Sequence, residues 1–246
     1  MPKALENNMI IEIKQLVKTY GSKTVVNIEN LQINEGETVG VVGNNGAGKT
    51  TLFRMLLDLI RPQAGEIRSE NKNVSNSDHW KSYTASYLDE GFLIDYLTPE
   101  EYFEFIGSLQ NMSKADVREY LSQYREFFNG EILASGKYIR DFSKGNQNKV
   151  GIAAAIMQNP KLLVLDEPFA NLDPTTQIRL KALLKDLNIQ QQTTTIISSH
   201  DLNHVTDVCS RIILLEKGVV VQDLQKNENT LQQLQHYFSD GKNVVA

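Results

Sequence analysis

The chain has 246 residues, 41% of them hydrophobic and 22% charged, enough apolar side chain for a packed core in one α/β domain with an inserted lobe. A net charge of -5 argues against a nucleic-acid-binding surface, and the single cysteine, Cys209, excludes an internal disulfide and fits a reducing compartment. No apolar run is long enough to span a bilayer, and the opening residues MPKALENN lack the apolar core of a signal peptide.

From Ile10 to about residue 63, apolar residues alternate or fall in short runs (Ile11, Ile13, Leu16; then Val25, Ile28, Leu31, Ile33), which predicts strands. Thr38–Val42 is another, ending at the glycine-rich segment 43–51. From about residue 96 to 158 the pattern is helical: Tyr102, Phe105, Ile106 and Leu109 share one face, and Val117, Tyr120, Leu121, Tyr124 and Phe128 another. Strands then return at 162–165, 194–198 and 212–215. Between the first two, a helix starts near Pro174 and presents Leu180, Leu183, Leu184 and Leu187. Strands alternating with helices imply a mostly parallel sheet. The expected organisation is one domain over 1–246, with core and β lobes at about 10–90 and 159–225. A helical lobe occupies about 91–158 and a tail 226–246.

Gly43-Asn44-Asn45-Gly46-Ala47-Gly48-Lys49-Thr50 fits the phosphate-loop pattern G-x-x-x-x-G-K-[ST], after a strand and before a helix. Glycines let backbone N–H groups converge on phosphate oxygens, and the helix beginning near Lys49 turns its positive end to the same charge. Lys49 supplies a point charge to the β- and γ-phosphates, and Thr50 a hydroxyl ligand for Mg²⁺. Residues 162–168, LLVLDEP, form a buried strand with two carboxylates at its C-terminal end, where open α/β sheets bind ligands. Asp166 is placed to hold Mg²⁺, and Glu167 to orient or deprotonate an attacking water.

At this point the sequence resembles the ATP-binding cassette family over nearly its whole length. Phe142-Ser143-Lys144-Gly145-Asn146 resembles the family signature LSGGQ, Asn171-Leu172-Asp173 the D-loop, His200 the switch histidine, and Tyr20 the aromatic residue that stacks on adenine. The resemblance implies a P-loop NTPase core with a mostly parallel sheet, an N-terminal antiparallel β subdomain and an inserted α-helical subdomain. It implies Mg-ATP hydrolysis with Glu167, His200 and Lys49 catalytic. ATP would be held by Tyr20, by residues 43–51 including Thr51, and by Ser143, Gly145 and Asp173. Mg²⁺ would be held by Thr50, Asp166 and Glu90, the last standing where the family usually has glutamine.

The implied partners are a second copy of the chain, or a homologous cassette, whose signature covers the γ-phosphate, and an integral-membrane permease. That permease would sit on the groove near Tyr87–Tyr96 and hold the chain at the inner face of the cell membrane. Lys144 and Asn146 depart from the usual signature, and the Ser-Lys-Gly form resembles cassettes of separate-subunit exporters. Soluble translation-type members join two cassettes by a basic linker, and DNA-repair types insert coiled coils or zinc modules. Residues 52–141, between phosphate loop and signature, hold neither heptads nor a cysteine pair.

Overall fold

The computed structural model describes residues 8–88 and 90–239. In chain order, β1 (Met9–Tyr20) and β2 (Lys23–Asn34) form a long antiparallel hairpin; β3 (Thr38–Val42) leads into α1 (Lys49–Leu56). Then come β4 (Ala64–Ser69), the short β5 (Lys72–Asn73) and β6 (Thr84–Tyr87). Three helices follow: α2 (Pro99–Leu109), α3 (Lys114–Gln123) and α4 (Lys144–Met157). The chain returns with β7 (Leu162–Leu165), α5 (Pro174–Gln191), β8 (Thr194–Ser199), α6 (Leu202–Val208), β9 (Arg211–Glu216), β10 (Val219–Gln225) and α7 (Thr230–Ser239).

The strands make two sheets. One is antiparallel, in the order β2-β1-β4-β5; the other runs β10-β9-β3-β8-β7-β6 and is parallel except for β10 against β9. The second sheet is a wall shared by two cores. Because side chains alternate along a strand, Val42, Leu163, Leu165, Ile197 and Ile212 face the helical lobe and α5. Val41, Val164, Ile196 and Ile213 face α1 and the antiparallel sheet.

Two glycines set the closest approaches to this wall. A Cβ on Gly40 of β3 would lie 1.9 Å from a Val205 methyl of α6. A Cβ on Gly151 of α4 would lie 2.2 Å from the Tyr87 ring of β6. The helix starts are locally encoded: Thr98 with Glu101 and Ser113 with Asp116 form capping boxes, and Asp173 caps α5 with Pro174 in its first turn.

Tyr102, Phe105, Ile106 and Leu109 form a helix as their spacing predicts, but only part of that face meets the core. Tyr102 is buried, but Phe105 and Leu109 are 43% and 62% exposed, and Phe103 is the fully buried residue. The second helical run also ends earlier than its periodicity suggests. α3 stops at Gln123, and Tyr124, Phe127 and Phe128 pack from the turns that follow.

Candidate functional site

The site gathers where β3, β7 and β8 end side by side. β3 is buried at every position and runs into Gly43, whose φ of +159° is extended. A Cβ there would stand 2.2 Å from the Leu215 carbonyl oxygen. Gly46 and Gly48 adopt φ of +82° and +109°, the left-handed side of the map that glycine enters without penalty. Asn45, Gly46, Ala47, Gly48, Lys49, Thr50 and Thr51 thereby line one open cleft with Val25 and Glu167, with a volume of about 220 Å³. Asn44 lines a neighbouring cleft behind the loop.

The Lys49 side chain is 7% exposed; its ammonium donates to the Gly43 carbonyl at 2.8 Å and stands 3.5 Å from Glu167 Oε1. The Thr50 hydroxyl donates to Asp166 Oδ2 at 2.6 Å, and Ser198 Oγ donates to Asp166 Oδ1. Burial raises the Asp166 carboxyl above the usual aspartate range, while the hydroxyls of Ser198 and Thr50 act against that shift. Glu167 N–H donates to Ser198 Oγ at 2.8 Å. Glu167 itself has φ +48°, unusual for a side chain of its size, and that conformation turns its carboxylate from the end of β7 into the cleft. There Oε2 lies 2.8 Å from His200 Nδ1 and also accepts the His200 backbone N–H at 3.3 Å.

These groups fit a magnesium nucleotide. A desolvated carboxylate paired with a hydroxyl, beside an ammonium and backbone amides, suits a hard cation that keeps oxygen ligands from phosphate and water. Among the described residues no three His, Cys, Asp or Glu side chains form a metal cage.

Three further predicted residues form a second cluster. Ser143 caps α4, accepting from Asn146 N–H at 3.3 Å; Gly145 follows, and Asp173 caps α5, accepting from Thr176 N–H at 3.0 Å. Lys149, 3% exposed, joins them, with Nζ 3.9 Å from Asp173 Oδ2 and 3.8 Å from Glu131 Oε2. Asn148 links this cluster to the sheet: it donates to the Ala170 carbonyl at 2.9 Å and accepts from the Tyr87 hydroxyl at 2.8 Å.

Tyr20 ends β1 with a half-exposed ring and Lys18 Nζ 5.2 Å from the ring centroid. Glu90 opens a one-turn 3₁₀ segment after β6; its side chain, and Asp89, lie outside the described residues. Nearby, a groove of about 210 Å³ is lined by Leu57, Leu59, Trp80, Leu88 and Phe92, with Phe92 and Tyr96 53% and 63% exposed. Sequence reasoning missed Ser198. Its only signal was a serine near the end of a buried strand, and its role depends on β8 lying beside β7.

Known proteins resemble this chain in sequence and in fold. The family profile described as ABC transporter matches residues 26–170. The chain is 34% identical over 221 residues, 89% of its length, to the bacitracin transport ATP-binding protein BcrA of Enterococcus faecalis. It is 31% identical over 223 residues, 91% of its length, to the spermidine/putrescine import ATP-binding protein PotA of Haemophilus influenzae. The chain spans 70% of the first relative's length and 60% of the second's. The dimeric structure of MJ0796, a bacterial ABC transporter cassette, superposes with a TM-score of 0.80 at 28% identity, covering 89% of this chain and 99% of that one. A post-hydrolysis state of the same cassette bound to ADP and Pi gives 0.79 at 27% identity, with the same coverage.

Proposed function

Because the chain belongs to the ATP-binding cassette family, we propose that it is the ATP-driven subunit of a transporter, closing on nucleotide with a second cassette to move a separate membrane permease. As an ABC-type ATPase it binds ATP and hydrolyses it to ADP and phosphate. The observation that carries the reading is the convergence of Lys49, Thr50, Asp166, Glu167 and His200 on one cleft.

The chemistry follows from that convergence. The loop N–H groups and Lys49 hold the phosphates, and Lys49 moves its charge from the Gly43 carbonyl and Glu167 to the incoming anion. Thr50 and Asp166 would hold Mg²⁺, whose charge offsets that of the phosphates when bound. Glu167 accepts a proton from the water whose oxygen attacks the γ-phosphorus, as the bond to the β–γ bridging oxygen breaks. His200 fixes the carboxylate that does this. Tyr20 offers its exposed ring to the base.

Ser143, Gly145 and Asp173 are gathered in their own cluster, and the ATP sandwich takes them from the second cassette. The permease docks on the groove lined by Trp80, Leu88 and Phe92, which fits a peripheral subunit at the inner membrane face: among the described residues no helix is long and apolar enough to cross a membrane. We read the direction as export from the Ser143-Lys144-Gly145 signature.

The test is Glu167→Gln. The amide keeps the shape and loses the base, so the variant should bind Mg-ATP, hydrolyse it at least about 100-fold more slowly, and elute from gel filtration at twice the monomer mass. Near-normal turnover would remove Glu167 from its role, and a monomer with bound Mg-ATP would remove the sandwich.

A further inference from the structure

The phosphate loop is backed by the β9–β10 hairpin, and the contacts are close. The Gly218 N–H donates to the Ala47 carbonyl at 2.9 Å, and the Asn27 N–H donates to the Gly218 carbonyl at 2.8 Å. The Leu215 carbonyl comes so near Gly43 that a Cβ would meet it at 2.2 Å; a Cβ on Gly218 would meet the Val25 carbonyl at 2.4 Å. The loop from Gly43 to Ala47 therefore takes its position partly from residues 215–218.

The hairpin turn that provides this backing is not self-sufficient. Its two central residues, Lys217 and Gly218, have φ of +47° and +85°. A two-residue loop with both φ positive favours Asn-Gly or Asp-Gly, and lysine in the first place is disfavoured there. Something outside the hairpin helps to hold it. The Tyr237 hydroxyl of α7 donates to Glu216 Oε2, at the last residue of β9 before the turn. α7 is itself firmly seated: Leu234 is fully buried, the helix packs against α6, and Tyr237 and Phe238 stack edge-on at 5.6 Å. Tyr237 and Phe238 form one wall of a cleft of about 360 Å³ whose other wall is Asn44, Asn45 and Gly46.

We propose that Tyr237 is a positioning residue for nucleotide binding, holding the Glu216–Gly218 turn, and through it the phosphate loop, in the geometry that receives phosphate. The role lies outside the catalytic cluster and rests on the reading that residues 43–51 hold ATP. The hydroxyl donates to a carboxylate that pushes its pKa up to about 12, so the link stays protonated and intact across neutral pH. Removing it loosens the loop before ATP arrives and leaves Glu167 and His200 in place. The effect therefore falls on affinity and KM, with kcat at saturation unchanged.

The experiment titrates the full chain with Mg-ATP by calorimetry and measures steady-state hydrolysis. It compares wild type with Tyr237→Phe, Glu216→Ala, Glu216→Gln, the Tyr237→Phe/Glu216→Ala double variant, and Lys49→Ala. Tyr237→Phe and Glu216→Ala should each weaken ATP binding about three- to tenfold, less than the full worth of a charge-assisted hydrogen bond because the link acts on the loop indirectly. The double variant should be no worse than either, and Glu216→Gln, which keeps an acceptor oxygen, should retain most of the affinity. The Tyr237→Phe deficit should not change across neutral pH. Wild-type affinity in Tyr237→Phe, additive losses in the double variant, or an equal fall in kcat and thermal midpoint at constant KM would each overturn the proposal. If Lys49→Ala binds ATP like wild type, the nucleotide reading of the loop fails, and this inference falls with it.

Discussion

The carbonyl oxygen of Asn171 stands 2.3 Å from the point that a Cβ on Gly145 would occupy. The first turn of α4 and the segment before α5 thus meet backbone to backbone, and the glycine is required by that approach inside one chain as well as by any contact with nucleotide. Gly145→Ala must push residues 171–173 away. We expect hydrolysis to fall on the order of 100-fold while ATP affinity of the isolated chain changes little, because the phosphate loop lies elsewhere. Equal losses in affinity and turnover would contradict this.

Mixing experiments test the proposed division of the site between two chains. Ser143→Arg and Lys49→Ala should each be inactive alone. In a mixed dimer one composite site carries both lesions and the other carries none, so a mixture should regain hydrolysis that neither parent shows. A disulfide between a cysteine at position 143 and one in the phosphate loop of the other chain, formed only with Mg-ATP, is the accompanying structural readout.

Gly151→Ala tests packing behind the second cluster and leaves the phosphate cleft untouched. The added Cβ would fall 2.2 Å from the Tyr87 ring, in a helix buried on nearly every side. Overpacking of this kind destabilises by about 1–3 kcal/mol, and here it also strains the Tyr87–Asn148 hydrogen bond. Denaturant unfolding of the variant should show a lower midpoint; an unchanged midpoint would mean that α4 and β6 can separate freely.

Cys209 offers a pH test. Burial pushes its thiol up to about 12, so the folded protein should resist thiol reagents that label it readily once denatured. The sign of the linkage follows. An unfolded thiol ionises near about 8.5, whereas the folded one keeps its proton to about 12, so the native state binds more protons across that window. The contribution to stability is complete below the lower value and is lost as pH rises toward the upper one. Cys209→Ser should flatten that decline in a series of unfolding measurements.

Much of this architecture is local and therefore legible in the sequence. The strand Leu162–Leu165 and its Asp166-Glu167 ending, the strand before Gly43, and the helix start at Pro174 all fall where their patterns place them, since each is set by burial or by a cap within a few residues. What pattern could not supply was orientation and partnership. Phe105 and Leu109 match helical spacing as well as Tyr102 does, but which face of α2 meets the core depends on α3 and α4. β6 is only four residues long, and α7 lies in the stretch read as a tail; both acquire meaning from neighbours distant in sequence. The same holds within the site: the phosphate loop and carboxylates are motifs, but Ser198 matters only because β8 brings it between Asp166 and Glu167.

The backbone at Glu167 carries a consequence for how this protein tolerates change. An L-residue at φ +48° is held there against its own preference by about 1 kcal/mol, a penalty that glycine escapes. Glu167→Gly would relieve that strain while deleting the carboxylate and its contacts with His200 and Lys49. Backbone strain and the proposed chemistry therefore meet at this one position. If Glu167 is the base as proposed, a screen that selects variants for heat resistance alone would relax the pressure that keeps it.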